Sequence, residues 1–124
     1  MVARPRVLIA DDSADVTKAV CRVLALDCEI VGTVADGSAL LGAVQRLQPD
    51  LVVLDVNLPS LHGLEACRQL IQMNPAIKVV VFSAVSEPEV SEALMAAGAS
   101  AFVSKLTSVN LPATIRRLCS PSNP

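Results

Sequence analysis

Four stretches of this chain carry an apolar run to a polar group that can do chemistry. Asp11 and Asp12 follow RVLIA (6–10), and Asp55 follows LVVL (51–54). Ser83 follows IKVVVF (77–82), and Lys105 comes shortly after SAFV (100–103). Three carboxylates held close together repel one another. A divalent cation removes the conflict, and Mg²⁺ suits it best because it prefers oxygen ligands and joins carboxylates to phosphoryl groups. With the cation bound, one carboxylate can attack phosphorus. Phosphoryl transfer asks mainly for positioning and charge neutralisation. Lys105 offers a second cation, and the Ser83 hydroxyl can hydrogen-bond a phosphoryl oxygen.

These groups can meet only if the fold gathers them. Strand-like runs at 6–10, 29–35, 51–54, 77–82 and 100–103 alternate with helical patterns at 13–26, about 40–47, 63–73, 87–97 and about 109–119. Val16, Ala19, Val20 and Val23 mark one face of the first helix. Ser13 reads as its N-cap, and Asp15 lies in the first turn, where the helix dipole favours an acid. Asp36-Gly37 reads as a turn. Leu40, Leu41, Val44 and Leu47 mark the second helix. Leu64, Cys67, Leu70 and Ile71 mark the third, which stops at Asn74-Pro75. Gly98 reads as the glycine that closes the fourth helix. Leu111, Ile115 and Leu118 face inward on the last, with Pro112 in its first turn, where proline is tolerated.

Five strand–helix units imply one α/β domain with a parallel sheet and right-handed crossovers. Ligands of such sheets bind at the carboxyl ends of the strands. The polar residues named above fall at those ends.

Composition agrees. The 124 residues make one domain of ordinary size. Aromatics are only 2% of a chain that is 52% hydrophobic, so the core must be aliphatic. The net charge of −2 comes with no Lys/Arg block, and nothing predicts direct nucleic-acid binding. No apolar run approaches a bilayer span, and the chain is expected to be cytoplasmic. The cysteines at 21, 28, 67 and 119 match no metal or redox spacing and read as small apolar residues. Residues 1–119 are read as the domain, and 120–124 (SPSNP) as a linker-like tail.

The combined pattern resembles the receiver domains of two-component response regulators. Its pieces are Asp11-Asp12, the segment Asp55-Val-Asn-Leu-Pro-Ser-Leu-His-Gly63, Ser83-Ala84, and Phe102-Val-Ser-Lys105. Gly63-Leu-Glu-Ala-Cys67 and the run 97–102 are most like receivers joined to a helix-turn-helix DNA-binding output. The segment after the second strand also resembles receivers with other outputs.

The resemblance implies a flavodoxin-like, doubly wound, five-stranded parallel sheet in the order 2-1-3-4-5, with helices on both faces. It implies that Asp55 is the phosphoacceptor. Asp12 and Asp55 would ligate Mg²⁺ (or Mn²⁺) directly, with the main-chain carbonyl of Asn57, and Asp11 would act through water. Ser83 would be the switch hydroxyl, Phe102 the aromatic switch, and Lys105 the partner of the phosphoryl group. Asn57 and Val85 would tune the lifetime of the acyl phosphate. The implied donor is a phosphohistidine on a sensor histidine kinase or phosphotransfer protein. The implied response is a changed surface around helix 4, strand 5 and helix 5, read by an output domain outside this chain, by a partner, or by a second receiver in a homodimer. Such a chain is no enzyme toward other substrates, although it catalyses its own phosphorylation and dephosphorylation.

One position departs from the pattern. Many receivers have Pro after the lysine, in a cis peptide, and here Leu106 follows Lys105. A cis bond before a non-proline residue costs roughly 2.5–4 kcal/mol. The sequence therefore predicts a trans bond there, with a different loop, or else a strained one.

Plainer readings stand beside these. Asp11 and Asp12 could serve only the helix N-terminus, and Phe102 could be ordinary core. His62 reads as a surface residue, and Arg116 and Arg117 as a solvated helix face or a small protein-contact patch. Two rival functions remain: a phosphate-independent adaptor that keeps the fold, and a metal-dependent phosphatase. The intact acidic pocket with Lys105 argues against the first. The lack of a separate substrate pocket or general base argues against the second.

Overall fold

The computed structural model describes residues 4–84 and 88–119. Its elements run β1 (Arg6–Ala10), α1 (Ala14–Leu24), β2 (Glu29–Val34), α2 (Gly37–Leu47), β3 (Leu51–Asp55), α3 (Gly63–Met73), β4 (Lys78–Ser83), α4 (Pro88–Ala96), β5 (Ala101–Ser104), a 3-10 turn (Lys105–Asn110) and α5 (Leu111–Cys119). The strands form one parallel sheet in the order β2-β1-β3-β4-β5. This is the doubly wound α/β fold expected from the alternating pattern. Val85 and residues 120–124 lie outside the described residues.

The sheet is covered on both faces, which is why its central strands read as unbroken apolar runs. Every residue of β3 is buried. One layer packs Val7, Ile9, Val53, Val80 and Phe82 against Val20 and Leu24 of α1 and Leu111 and Ile115 of α5. The other packs Leu8, Val52, Leu54, Val79 and Val81 against α2, α3 and α4, through Leu40, Leu70 and Leu94 among others. The period of two along each strand decides which layer a side chain enters.

Helix ends follow local chemistry. The Ser13 hydroxyl accepts from the Val16 N–H at 3.3 Å, as the sequence predicts. Gly98 has φ of +112°. It closes α4 with Gly98 N–H to Met95 O at 3.1 Å and Ala99 N–H to Leu94 O at 3.0 Å. This paired Schellman closure puts the glycine in the left-handed region that side chains disfavour.

Several expectations are corrected in detail. Asp36 is the N-cap of α2 rather than a turn residue, and its carboxylate accepts from Ala39 N–H at 3.0 Å and Ser38 Oγ at 2.6 Å. The last helix begins at Leu111, because 105–110 form a tighter 3-10 turn. Of the apolar face expected on α1, Val20 is buried, while Ala19 is exposed and Val23 is 39% exposed. Among the described residues no helix is long and apolar enough to cross a membrane, and no peptide bond is cis. The chain leaves Lys105 without the cis geometry considered above.

Candidate functional site: an acidic pocket at the carboxyl edge of the sheet

β1 and β3 are neighbours in register, with Ala10 opposite Leu54. The residues just beyond them, Asp11 and Asp55, therefore emerge side by side. Asp11 and Asp55 are each only 5% exposed, and Ser83 at the end of β4 is 2% exposed. They are the buried polar or charged residues among those described. Asp12 is exposed at the mouth of the site. Asp11, Asp12 and Asp55 each offer a carboxylate oxygen, and these oxygens lie within 4.8 Å of one another.

Backbone donors aim the two buried acids. Asp11 N–H donates to Val34 O at 3.0 Å, tying the start of the loop to β2. Asp11 Oδ1 accepts from Ser13 N–H at 2.8 Å, and Asp55 Oδ1 accepts from Asn57 N–H at 3.1 Å. The other oxygen of each acid turns to Lys105. Its Nζ is 2.7 Å from Asp11 Oδ2 and 3.5 Å from Asp55 Oδ2. The closer pair is an ion pair by distance, but its angles do not make a hydrogen bond, and Asp11 Oδ2 is buried with no hydrogen-bond partner. Burial of a charged oxygen without a partner is costly. Coulombic attraction to Lys105 offsets part of that cost.

This arrangement fits a divalent cation. Lys105 answers one of three clustered carboxylate charges, and a doubly charged ion would answer the other two. The ligand atoms are all oxygens, as Mg²⁺ prefers. A cleft of about 380 Å³, lined by Asp11, Asp12, Thr17, Lys18 and Thr33 among others, opens beside the acids.

The loop after β3 is held against α3. Gly63 N–H donates to Val56 O at 3.1 Å. A Cβ on Gly63 would come within 2.8 Å of Val56 Cα, so only glycine allows this approach. Asn57 lies in this loop with an exposed side chain. His62 is exposed, as expected of a surface residue, but it also caps α3: its Nδ1 accepts from Leu64 N–H at 3.2 Å.

The structure brings Asp11, Asp12, Asp55 and Lys105 together. Ser83 sits one strand away from Asp55, opposite Ser104 of β5. Phe102 is farther out. It is half-buried and packs against the layer of α2, α3 and α4. Phe82 is a neighbour that the spacing did not reveal. It pairs with Asp55 in register, and Lys105 Nζ lies over its ring, 5.8 Å from the centroid. The signal available was the step of two from Val80 to Phe82, which puts that ring on the face of Asp55.

The four cysteines are free thiols away from this site. Burial pushes the Cys28 thiol up to about 11, and burial also raises Cys67 and Cys119. Such thiols carry little reactive thiolate at neutral pH.

A family model described as "Response regulator receiver domain" matches residues 7–116. The response regulator GacA of Pseudomonas aeruginosa is 39% identical over 103 residues, which cover 81% of this chain and 48% of that protein. A protein-glutamate methylesterase/protein-glutamine glutaminase of a Nocardioides species is 36% identical over 108 residues, 84% of this chain and 30% of that protein. The chain thus spans about half or less of the length of these curated relatives. Among solved structures, a LuxR-family two-component response regulator from Aurantimonas sp. SI85-9A1 superposes with a TM-score of 0.88 at 25% identity, over 94% of this chain and 85% of that one. The signal receiver domain of the putative response regulator NarL from Mycobacterium tuberculosis shares the fold, with a TM-score of 0.87 at 24% identity over 97% of this chain and all of that one.

Proposed function

The chain belongs to the response regulator receiver domain family, and from that premise we propose that it is a phosphoacceptor switch with Asp55 as the acceptor. One observation carries the reading: a single ammonium, Lys105 Nζ, spans Asp11 and Asp55 at 2.7 and 3.5 Å in a buried pocket. A stability-driven core has no need of three clustered acids, because each buried charge costs free energy.

Asp12, Asp55 and the Asn57 carbonyl are the residues that would hold Mg²⁺ or Mn²⁺, with Asp11 acting through water. The bound ion would supply neutralisation of carboxylate and phosphoryl charge. A carboxylate oxygen of Asp55 attacks the phosphorus of a phosphohistidine. The O–P bond forms as the P–N bond breaks, and the imidazole leaves with a proton from solvent. The Asn57 N–H holds Asp55 Oδ1, and Oδ2, which faces Lys105, is the attacking oxygen. Lys105 then shifts its pairing toward the new phosphoryl oxygens, and the Ser83 hydroxyl donates to one of them. Hydrolysis of the acyl phosphate restores the carboxylate and releases inorganic phosphate.

Phosphorylation brings about −1.5 to −2 charges to Asp55. Movement of Ser83 would open room on the α4 side of the sheet, where Phe102 is already only half-buried. The face of α4, β5 and α5 is thus the surface that changes, read by an output domain, a partner or a second receiver. The donor would be a sensor histidine kinase or phosphotransfer protein in the cytoplasm. Residues 1–119 would form the receiver, and 120–124 would lead on to an output. Curated relatives include both GacA response regulators and methylesterase/glutaminases, so the DNA-binding output favoured by 63–67 and 97–102 is one of two supported kinds.

Intact mass after incubation with acetyl phosphate and Mg²⁺ tests the reading. The wild type should gain one phosphoryl group. The gain should vanish in Asp55→Asn and in EDTA. A folded wild type that gains nothing would refute the proposal in favour of phosphate-independent signalling.

A further inference from the structure

Lys105 reaches across the site, drawn by its ion pairs with Asp11 and Asp55. Its contact with Asp11 Oδ2 is close but makes no hydrogen bond, and Asp55 Oδ2 is 3.5 Å away. An ammonium on a flexible four-carbon stem has no built-in direction. Beneath it lies a cavity of about 110 Å³, lined by Val16, Val20, Val23, Phe82, Leu111 and Lys105 itself among others. An apolar cavity beside a lysine stem leaves that side chain room to shift.

The ring of Phe82 is the feature of this lining that attracts a cation. The face of an aromatic ring is negative and draws an ammonium within about 6 Å of its centroid. Lys105 Nζ lies over that face at 5.8 Å. Phe82 is 2% exposed and pinned within β4, opposite Asp55 on one side and Val103 on the other. Its position is therefore set by the same ladder that sets Asp55. The chain has two phenylalanines and no Trp or Tyr, and the other, Phe102, packs in the opposite layer. No second ring can serve here.

We infer that Phe82 is a positioning residue for Lys105: its ring face helps to hold the ammonium over the gap between Asp11 and Asp55. The kinetic consequence rests on the phosphoacceptor reading, whereas the placement of Lys105 does not.

A double-mutant cycle with an NMR readout tests the inference. Phe82→Leu should slow phosphoryl uptake from acetyl phosphate by about two- to five-fold. Phe82→Tyr, which keeps the ring face, should retain the wild-type rate. In a Lys105→Ala background, Phe82→Leu should change nothing further, because its effect passes through Lys105. The Lys105 Hε and Cε resonances should show ring-current displacement in the wild type and Phe82→Tyr, and lose it in Phe82→Leu. Phe82→Met replaces Phe82→Leu if melting shows that variant unfolded. An equal rate loss in both backgrounds, or Lys105 resonances indifferent to the ring, would overturn the inference. A wild type that takes up no phosphoryl group would sink the acceptor reading, and the Lys105 resonances would still decide the positioning.

Discussion

Asp50 and Asp55 bracket the same strand and serve opposite ends of it. At the entry to β3, Asp50 is exposed and tied to the backbone of its neighbours. Its Oδ2 accepts from Arg6 N–H at 2.9 Å, its N–H donates to Arg6 O at 2.8 Å, and its carbonyl accepts from Lys78 N–H at 3.1 Å. It ties the beginnings of β1, β3 and β4 together. At the exit, Asp55 is buried among two other acids and faces a lysine at 3.5 Å. The first carboxylate is exposed and accepts a hydrogen bond from the backbone. The second lies beside like charges and shares one lysine with Asp11. Residue type does not separate the two, but the partners of each oxygen do.

Neutralising the exit end of β3 should have the largest effect. Asp55→Asn should abolish phosphoryl uptake by intact mass and should raise the melting temperature, since it removes one of three clustered charges. Mg²⁺ at ten times its Kd should stabilise the wild type by about 1.4 kcal/mol and the variant much less, measured by thermal melts. A variant that melts lower than the wild type and still responds fully to Mg²⁺ would place the metal away from Asp55.

Lys105→Ala comes next. Loss of a charge aimed at the transferred group should cut the rate of uptake by about 10²-fold. It also leaves Asp11 Oδ2 buried without its counter-ion, so the variant should melt lower, and Mg²⁺ should recover more of its stability than it adds to the wild type. Equal responses to Mg²⁺ would show that Lys105 and the ion do not share the acids.

The opposite end should respond in the opposite sense. Asp50→Ala is expected to leave phosphoryl uptake unchanged and to cost about 1 kcal/mol in chemical denaturation, through the lost hydrogen bond to Arg6 N–H. A loss of uptake would join the two ends of β3 in a way the contacts do not suggest.

The smallest effect sharpens the rule. Asp36 lies at the same edge of the sheet as Asp55, yet it caps a helix. The hydrogen bond from the Ser38 hydroxyl, with that from Ala39 N–H, holds its carboxyl below the usual carboxylate range. A depressed carboxylate pKa contributes stability above the unfolded-state value and loses it as pH falls through the folded-state value. Asp36→Ala should therefore lower the melting temperature slightly at pH 7 and leave it unchanged once the wild-type carboxyl is protonated. A pH-independent difference would mean that helix propensity, not the cap, sets the effect.

Much of this is legible in the amino-acid sequence. The apolar runs at 6–10, 51–54 and 77–82 could only be buried strands, and the order of strands and helices left a parallel sheet. A parallel sheet sends the residues after its strands to one edge, so Asp11, Asp55, Ser83 and Lys105 were bound to approach each other. Helix ends were less legible. His62 and Asp36 act as caps through one or two hydrogen bonds that depend on local angles. The tight turn at 105–110 replaced the expected first helical turn for reasons that composition does not record.

The sequence by itself determined the class of fold, the edge at which the chemistry gathers and the identity of the acids, because the period of two and the direction of crossovers follow from chain geometry alone. Only the tertiary structure decided that Asp11 lies buried while Asp12 stays exposed, that one lysine spans two carboxylates, and that Phe82 lies beneath it. Those facts depend on which strands become neighbours and in what register. Contacts between residues far apart in the chain are set by the packing of whole layers, which no local pattern encodes.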